Sequence, residues 1–105
     1  MANTEVFRCS TPVLTFNLDD ENLDNMSEIH FAMKQGDNLI VKTTNDADVT
    51  QDGSTFMCEY SQAETLSLKN GSAYLQARIK YNDGSTFPTN IVPIQVLPVL
   101  QEDII

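Results

Sequence analysis

Tryptophan is missing from this chain, histidine occurs once, and there is no C-x-x-C pair, no glycine-rich phosphate loop and no G-x-S-x-G elbow. Each absence removes a class of chemistry. Without C-x-x-C, neither a redox dithiol nor a zinc half-site is suggested. Without the glycine loop, nothing in the sequence offers a cradle of backbone amides to a phosphate. His30 stands between Ile29 and Phe31, so alternation aims it at the polar face of a strand, where a lone imidazole is an ordinary surface residue. Carboxylates are so plentiful that a close pair of them says nothing about catalysis. The sequence therefore predicts no enzyme, no catalytic residue and no cofactor.

Cations are scarce too. Six Lys and Arg face fifteen Asp and Glu, a formal net charge of −9, and the basic residues nowhere cluster. Nucleic acid and anionic membrane surfaces are repelled by such a chain. No apolar run approaches the roughly twenty residues that span a bilayer. The opening "MANTEVFRCSTPVLT" has no cationic start followed by an apolar core and a cleavage site, so no secretory signal is read and an intracellular origin is expected. The sequons at Asn25 and Asn70 would matter only on a secretory route. Cys9 and Cys58 could pair across a sandwich, but a reducing compartment favours two free thiols, with Cys58 a small core hydrophobe.

What is present is alternation. The 105 residues suffice for one domain, residues 1–105, that buries about two-thirds of the surface of its unfolded chain. Ala73, Leu75, Ala77, Ile79 and Tyr81 alternate with polar neighbours, which predicts a strand from Ser72 to Tyr81 with one buried face. Asn82-Asp83-Gly84 turns it into a partner running from Ser85 to Leu97, broken near "FPTN" and, because of Pro93 and Pro98, placed partly on an edge. Leu14, Phe16 and Leu18 mark an earlier strand, and Ile29, Phe31 and Met33 another. Gln35-Gly36-Asp37 is a turn signal, after which Leu39 and Val41 are expected to face the core. Asp19 to Asn25, "DDENLDN", reads as a solvated connection or a single helical turn. Ser61 and Glu64 form a capping box for a short helix, with Lys69-Asn70-Gly71 expected to end it.

Part of "DADVTQDGSTFMCE" has the spacing of a calcium loop, with Asp48, Asp52, Gly53 and Glu59 at positions one, five, six and twelve. Its flanks alternate and are rich in β-branched and aromatic residues, whereas an EF-hand loop needs helices on both sides. Thr50 also stands where Asp or Asn belongs. The better reading is a hairpin turning at Asp52-Gly53, with Phe56, Cys58 and Tyr60 inward and Glu59 outward. Asp48, Asp52 and Glu59, together with Asp46 on a non-EF-hand site, remain the calcium ligands to be tested.

In order along the chain, "RCSTPVLTFNL", "SEIHFAMKQ", "SQAETLSL", "GSAYLQARIKYNDGS" and "TNI" resemble small structural proteins of bacteriophage and prophage tail and baseplate clusters from Gram-positive bacteria. Related sequences resemble the N-terminal domain of upper-baseplate proteins. The resemblance covers nearly the whole chain and implies an immunoglobulin-like β-sandwich used as a virion building block. Such a protein is assembled in the bacterial cytoplasm and ends in the virion, and its partners are other phage structural proteins or copies of itself. Antibody-type domains differ by their Cys-Trp-Cys arrangement, which is lacking here.

Periodicity leads to the same architecture: an all-β, immunoglobulin-like two-sheet β-sandwich with one short helix. The expected core is Leu14, Phe16, Ile29, Phe31, Leu39, Val41, Phe56, Cys58, Leu75, Ile79, Val92, Ile94 and Val96. The function expected is that of a non-enzymatic structural or adaptor domain acting through protein–protein contacts. The apolar closing stretch "VLPVLQEDII" is one contact surface. The alternative is a calcium-stabilised or carbohydrate-binding recognition module, for which Tyr74, Phe87 and Phe7 are the candidate exposed rings.

Overall fold

The computed structural model describes residues 5–105, an all-β arrangement of two sheets with one short helix. The strands are β1 (Glu5–Phe7), β2 (Val13–Asn17), β3 (Met26–Gln35), β4 (Asn38–Thr43), β5 (Val49–Asp52), β6 (Thr55–Glu59), β7 (Gly71–Tyr81), β8 (Thr86–Pro88) and β9 (Val92–Leu97). Helix α1 (Gln62–Leu66) lies between β6 and β7. The larger sheet has the order β1-β9-β7-β3-β4, with β8 beside the far half of β7; the smaller is β2-β6-β5. All pairings are antiparallel except β1 with β9. No helix among the described residues is long and apolar enough to cross a membrane.

The sheets meet through three phenylalanines. Phe31 of β3 lies 4.9 Å from the ring of Phe16 in β2 and 5.5 Å from that of Phe56 in β6, so one side chain of the larger sheet touches both strands opposite it. Tilted pairs of this kind add about 0.5–1.5 kcal/mol each beyond burial. Around them the alternating positions Ile29, Met33, Leu75, Ile79, Ile94 and Val96 are buried as their spacing predicts. Val6, Leu18, Leu68 and Tyr60 complete the core.

Several details depart from the sequence reading. Leu39 and Val41 do not face the core; they are 56% and 42% exposed, and Ile40 and Lys42 take the inner positions. The reason is register. The two-residue turn Gly36-Asp37 sets Gln35 opposite Asn38, which places Ile40 across from Met33 and Lys42 across from Phe31. Gly36, at φ +59°, supplies the left-handed conformation that this turn needs. Val92 is only partly buried.

The ends of other elements also shift. Helix α1 stops at Leu66 with Ser67 as its C-cap, short of Lys69, and Gly71, at φ +123°, opens β7 instead. The capping box itself forms: Ser61 Oγ accepts from Glu64 N at 3.1 Å and Glu64 Oε1 accepts from Ser61 N at 2.9 Å. In β9 only the first half is an edge, since Gln95–Leu97 pair with β1 as well as lying beside β7. Pro93 falls outside the β1 pairing, where its missing N–H costs nothing. The break after Pro88 is repaired by Thr89, whose N–H donates to Ala77 O at 2.8 Å while its Oγ1 accepts from Ala77 N at 3.1 Å. Asp19 to Asn25 is an irregular connection, and Leu23 within it packs on the core.

The orientation of β4 is directly testable by urea unfolding. Phe31→Ala is expected to cost about 3–5 kcal/mol, as for other buried aromatics. Val41→Ser is expected to stay within about 0.5 kcal/mol. A large loss from Val41→Ser would restore the opposite register.

Candidate functional site

The carboxylates of the suspected calcium loop are held apart by the hairpin that carries them. Asp48 and Glu59 lie at its open end, where Glu59 N donates to Asp48 O at 2.9 Å. Asp52 lies at the turn end, opposite Thr55, three residues beyond Val49 along β5. That separation is about 10 Å at the rise of an extended strand, too far for one ion. Asp46 is engaged in its own turn, accepting from Thr43 N at 2.8 Å. Among the described residues no group of three or more His, Cys, Asp or Glu is placed to hold a metal ion.

Asp48 has a different partner. Lys42 is 5% exposed, and its Nζ donates to Asp48 Oδ2 at 2.8 Å and to Glu64 Oε1 at 2.9 Å. Its ammonium also sits 5.3 Å from the centre of the Tyr60 ring. Burial pulls the lysine pKa down, but the hydrogen bonds that it donates to Asp48 and Glu64 outweigh it, and the net shift is upward. Glu64 shows the mirror effect: burial raises it, while Lys42 and the Ser61 backbone hold it below the ordinary carboxylate value. Neither the lysine nor the glutamate is therefore poised to exchange protons near neutral pH. This is a clamp joining β4, the β4–β5 connection and α1.

The remaining titratable candidates are inert or isolated. His30 lies on the outer face of β3 with Nε2 3.3 Å from Glu28 Oε1. Cys58 is fully buried and burial pushes its thiol up to about 12; Tyr60 is buried and its phenol is raised for the same reason. Cys9 lies after β1 and is not bonded to Cys58. Among the described residues these groups do not pair a nucleophile with a base.

The most distinctive surface is the outer face of the larger sheet. Leu39, Lys34, Tyr74 and Pro93 stand in one row across β4, β3, β7 and β9, each opposite the next in register. Val41, Ala32 and Gln76 form the adjoining row. Ile91, pushed out by the break between β8 and β9, is 61% exposed. Ala32, Lys34, Leu39, Tyr74, Gln76 and Ile91 line a shallow depression whose walls are mostly apolar. Alternation should put polar residues here, and Leu39, Val41, Tyr74 and Ile91 depart from it.

Charge distinguishes the face further. Lys34, Arg78 and Lys80, half of the six Lys and Arg, point outward from it. Only Lys80 has a carboxylate, Glu28, opposite it in register. Sequence reasoning named Tyr74 as exposed but missed Leu39, Val41 and Ile91; the proline-flanked break at "FPTN" was the available signal for Ile91. The rings suggested for sugar binding do not form one platform. Tyr74 is on the outer face, whereas Phe87 is opposite Ile79 on the inner side, and Phe7 lies beside Leu97, four residues along β9 from Pro93.

Two measurements follow from the clamp and the thiols. Glu64→Gln should cost about 1–2 kcal/mol at neutral pH by leaving Lys42 half paired. The Glu64 contribution is complete above the ordinary carboxylate value of 4.5 and is lost as pH falls through the lowered folded pKa. That of Lys42 is complete below 10.5 and is lost as pH rises through the raised one. Stability curves of wild type and Lys42→Met should therefore diverge on the plateau between these values and converge at both ends. In native protein a thiol reagent should modify Cys9 and leave Cys58 untouched until denaturant is added; rapid labelling of both would place Cys58 outside the core.

Comparison of the chain with protein-family models, with curated proteins and with solved structures finds no match.

Proposed function

We propose that this protein is a non-enzymatic structural or adaptor domain that acts through protein–protein contacts, of the kind that builds a phage tail or baseplate. The observation that carries this reading is the apolar, cation-bearing outer face of the larger sheet, formed by Leu39, Val41, Tyr74 and Ile91 beside Lys34 and Arg78. A surface of this composition favours a macromolecular partner over water. The likeness of the sequence segments to phage structural proteins supports the setting, with assembly in a bacterial cytoplasm, residence in the virion and other phage structural proteins as partners.

The architecture fits an immunoglobulin-like β-sandwich. Its order β1-β9-β7-β3-β4 against β2-β6-β5, the parallel β1–β9 pair and a helical turn between β6 and β7 all agree with that family of folds. Virion parts are symmetric, so such a domain either associates with itself or docks on a symmetric partner.

Light scattering on a size-exclusion column, run with calcium and again with chelator, tests the reading. The expected result is a defined assembly at high concentration that ignores calcium. A chain that calcium stabilises as a monomer would instead favour the recognition-module alternative.

A further inference from the structure

We infer that the outer face of the larger sheet receives residues 99–105 of a second copy of this chain, in a head-to-tail contact; this rests on the structural-domain reading and names its partner. Two surfaces of the molecule are unusually apolar, and they differ in charge. The first is the depression lined by Leu39, Tyr74 and Ile91, with Lys34 between Leu39 and Tyr74 and Arg78 nearby. The second is the closing segment, in which Leu100, Ile104 and Ile105 are 106%, 58% and 93% exposed, with Glu102 and Asp103 among them.

That segment is presented and not buried. Gln62 Nε2 donates to Ile105 O at 2.7 Å while Gln62 Oε1 accepts from Ile105 N at 2.8 Å, so one amide side chain grips both backbone groups of the residue. Arg8 pairs with Glu102, and Cys9 Sγ donates to Asp103 O at 3.2 Å. The polar groups thus hold the backbone against α1 and the loop after β1, while the apolar side chains are left facing water. A second molecule can cover them without unfolding anything.

Charge decides between the possible pairings. Two outer faces placed together would bring Lys34 and Arg78 of each copy against those of the other, which opposes a face-to-face dimer. The closing segment brings Asp103, which has no cation beside it among the described residues, and belongs to a molecule whose net charge is −9. Apolar surface meets apolar surface, and an acidic body meets the least acidic face. Because the two patches are different, each bound pair keeps one free face and one free segment, so the contact propagates into a ring or a filament.

The test uses two full-length variants altered only at exposed positions. Leu39→Asp with Ile91→Asp spoils the face; Leu100→Ser, Ile104→Ser and Ile105→Ser together spoil the segment. Melting curves close to that of wild type establish that both fold. In sedimentation across a concentration series, wild type should associate, and each variant alone should need roughly tenfold or more concentration to do so. Mixed one to one, they should form a heterodimer and nothing larger, because the mixture retains one intact face and one intact segment. Lys34→Gln with Arg78→Gln should weaken wild-type association; strengthening it, as relief of like-charge repulsion between two such faces would, indicates face-to-face pairing and overturns the inference. If either apolar variant associates like wild type, or if the mixture stays monomeric while wild type assembles, the contact runs elsewhere and the structural-domain reading stands without it. A wild type that is monomeric at every concentration overturns this contact together with the self-assembling form of the proposed function.

Discussion

The register of one hairpin governs much of this molecule. Gly36-Asp37 is the shortest link that can join β3 to β4, and once it sets Gln35 against Asn38 every later pair follows. Ile40 and Lys42 must then look inward, while Leu39 and Val41 look out. A slip of one residue would exchange the two sets. The larger sheet would gain Leu39 and Val41 in its core, give up Ile40, and lose both its ionic clamp and its apolar outer row.

The inward lysine is costly alone and stabilising in company. A buried ammonium without partners is strongly disfavoured, so its position is tenable because Asp48, Glu64 and the Tyr60 ring converge on it. Glu64 serves twice, since the same carboxylate closes the capping box with Ser61. Helix formation and clamp formation are thereby coupled: five residues of helix would be unstable in isolation, and here the first turn is pinned by an ion pair to another sheet. β4 is an edge strand, and an inward charge on an edge also discourages further strands from adding there.

Of the outer face proposed as a contact surface, Leu39 and Val41 are the residues that the same register turns outward. A face carrying Leu39, Val41, Tyr74 and Ile91 has no structural need to be apolar, because the core lies on the other side of the sheet. Placing Lys34 and Arg78 on that face concentrates positive charge on an otherwise acidic molecule. The combination suits a partner that is both apolar and acidic. The acidic residues that first suggested calcium have separate roles: Asp48 neutralises Lys42, Asp46 closes a turn, and Asp52 ends a strand.

By itself the sequence determined the elements whose signals are local. Alternation marked β3 and β7, Asp52-Gly53 marked the turn between β5 and β6, Asn82-Asp83-Gly84 the turn after β7, and Ser61 with Glu64 the start of α1, because each depends on neighbours a few residues away. In "NLIVKTT" alternation identified a strand but could not orient it, since Leu39 and Val41 on one side compete with Ile40 and the long aliphatic stem of Lys42 on the other. Tertiary structure made that choice. It had the partners for a buried ammonium, Asp48 six residues away and Glu64 twenty-two, and only their convergence in space makes the lysine the inner residue. The same long-range decision turned Leu39 and Val41 outward, and for that reason their part of the surface proposed to carry the function was the least legible in the chain.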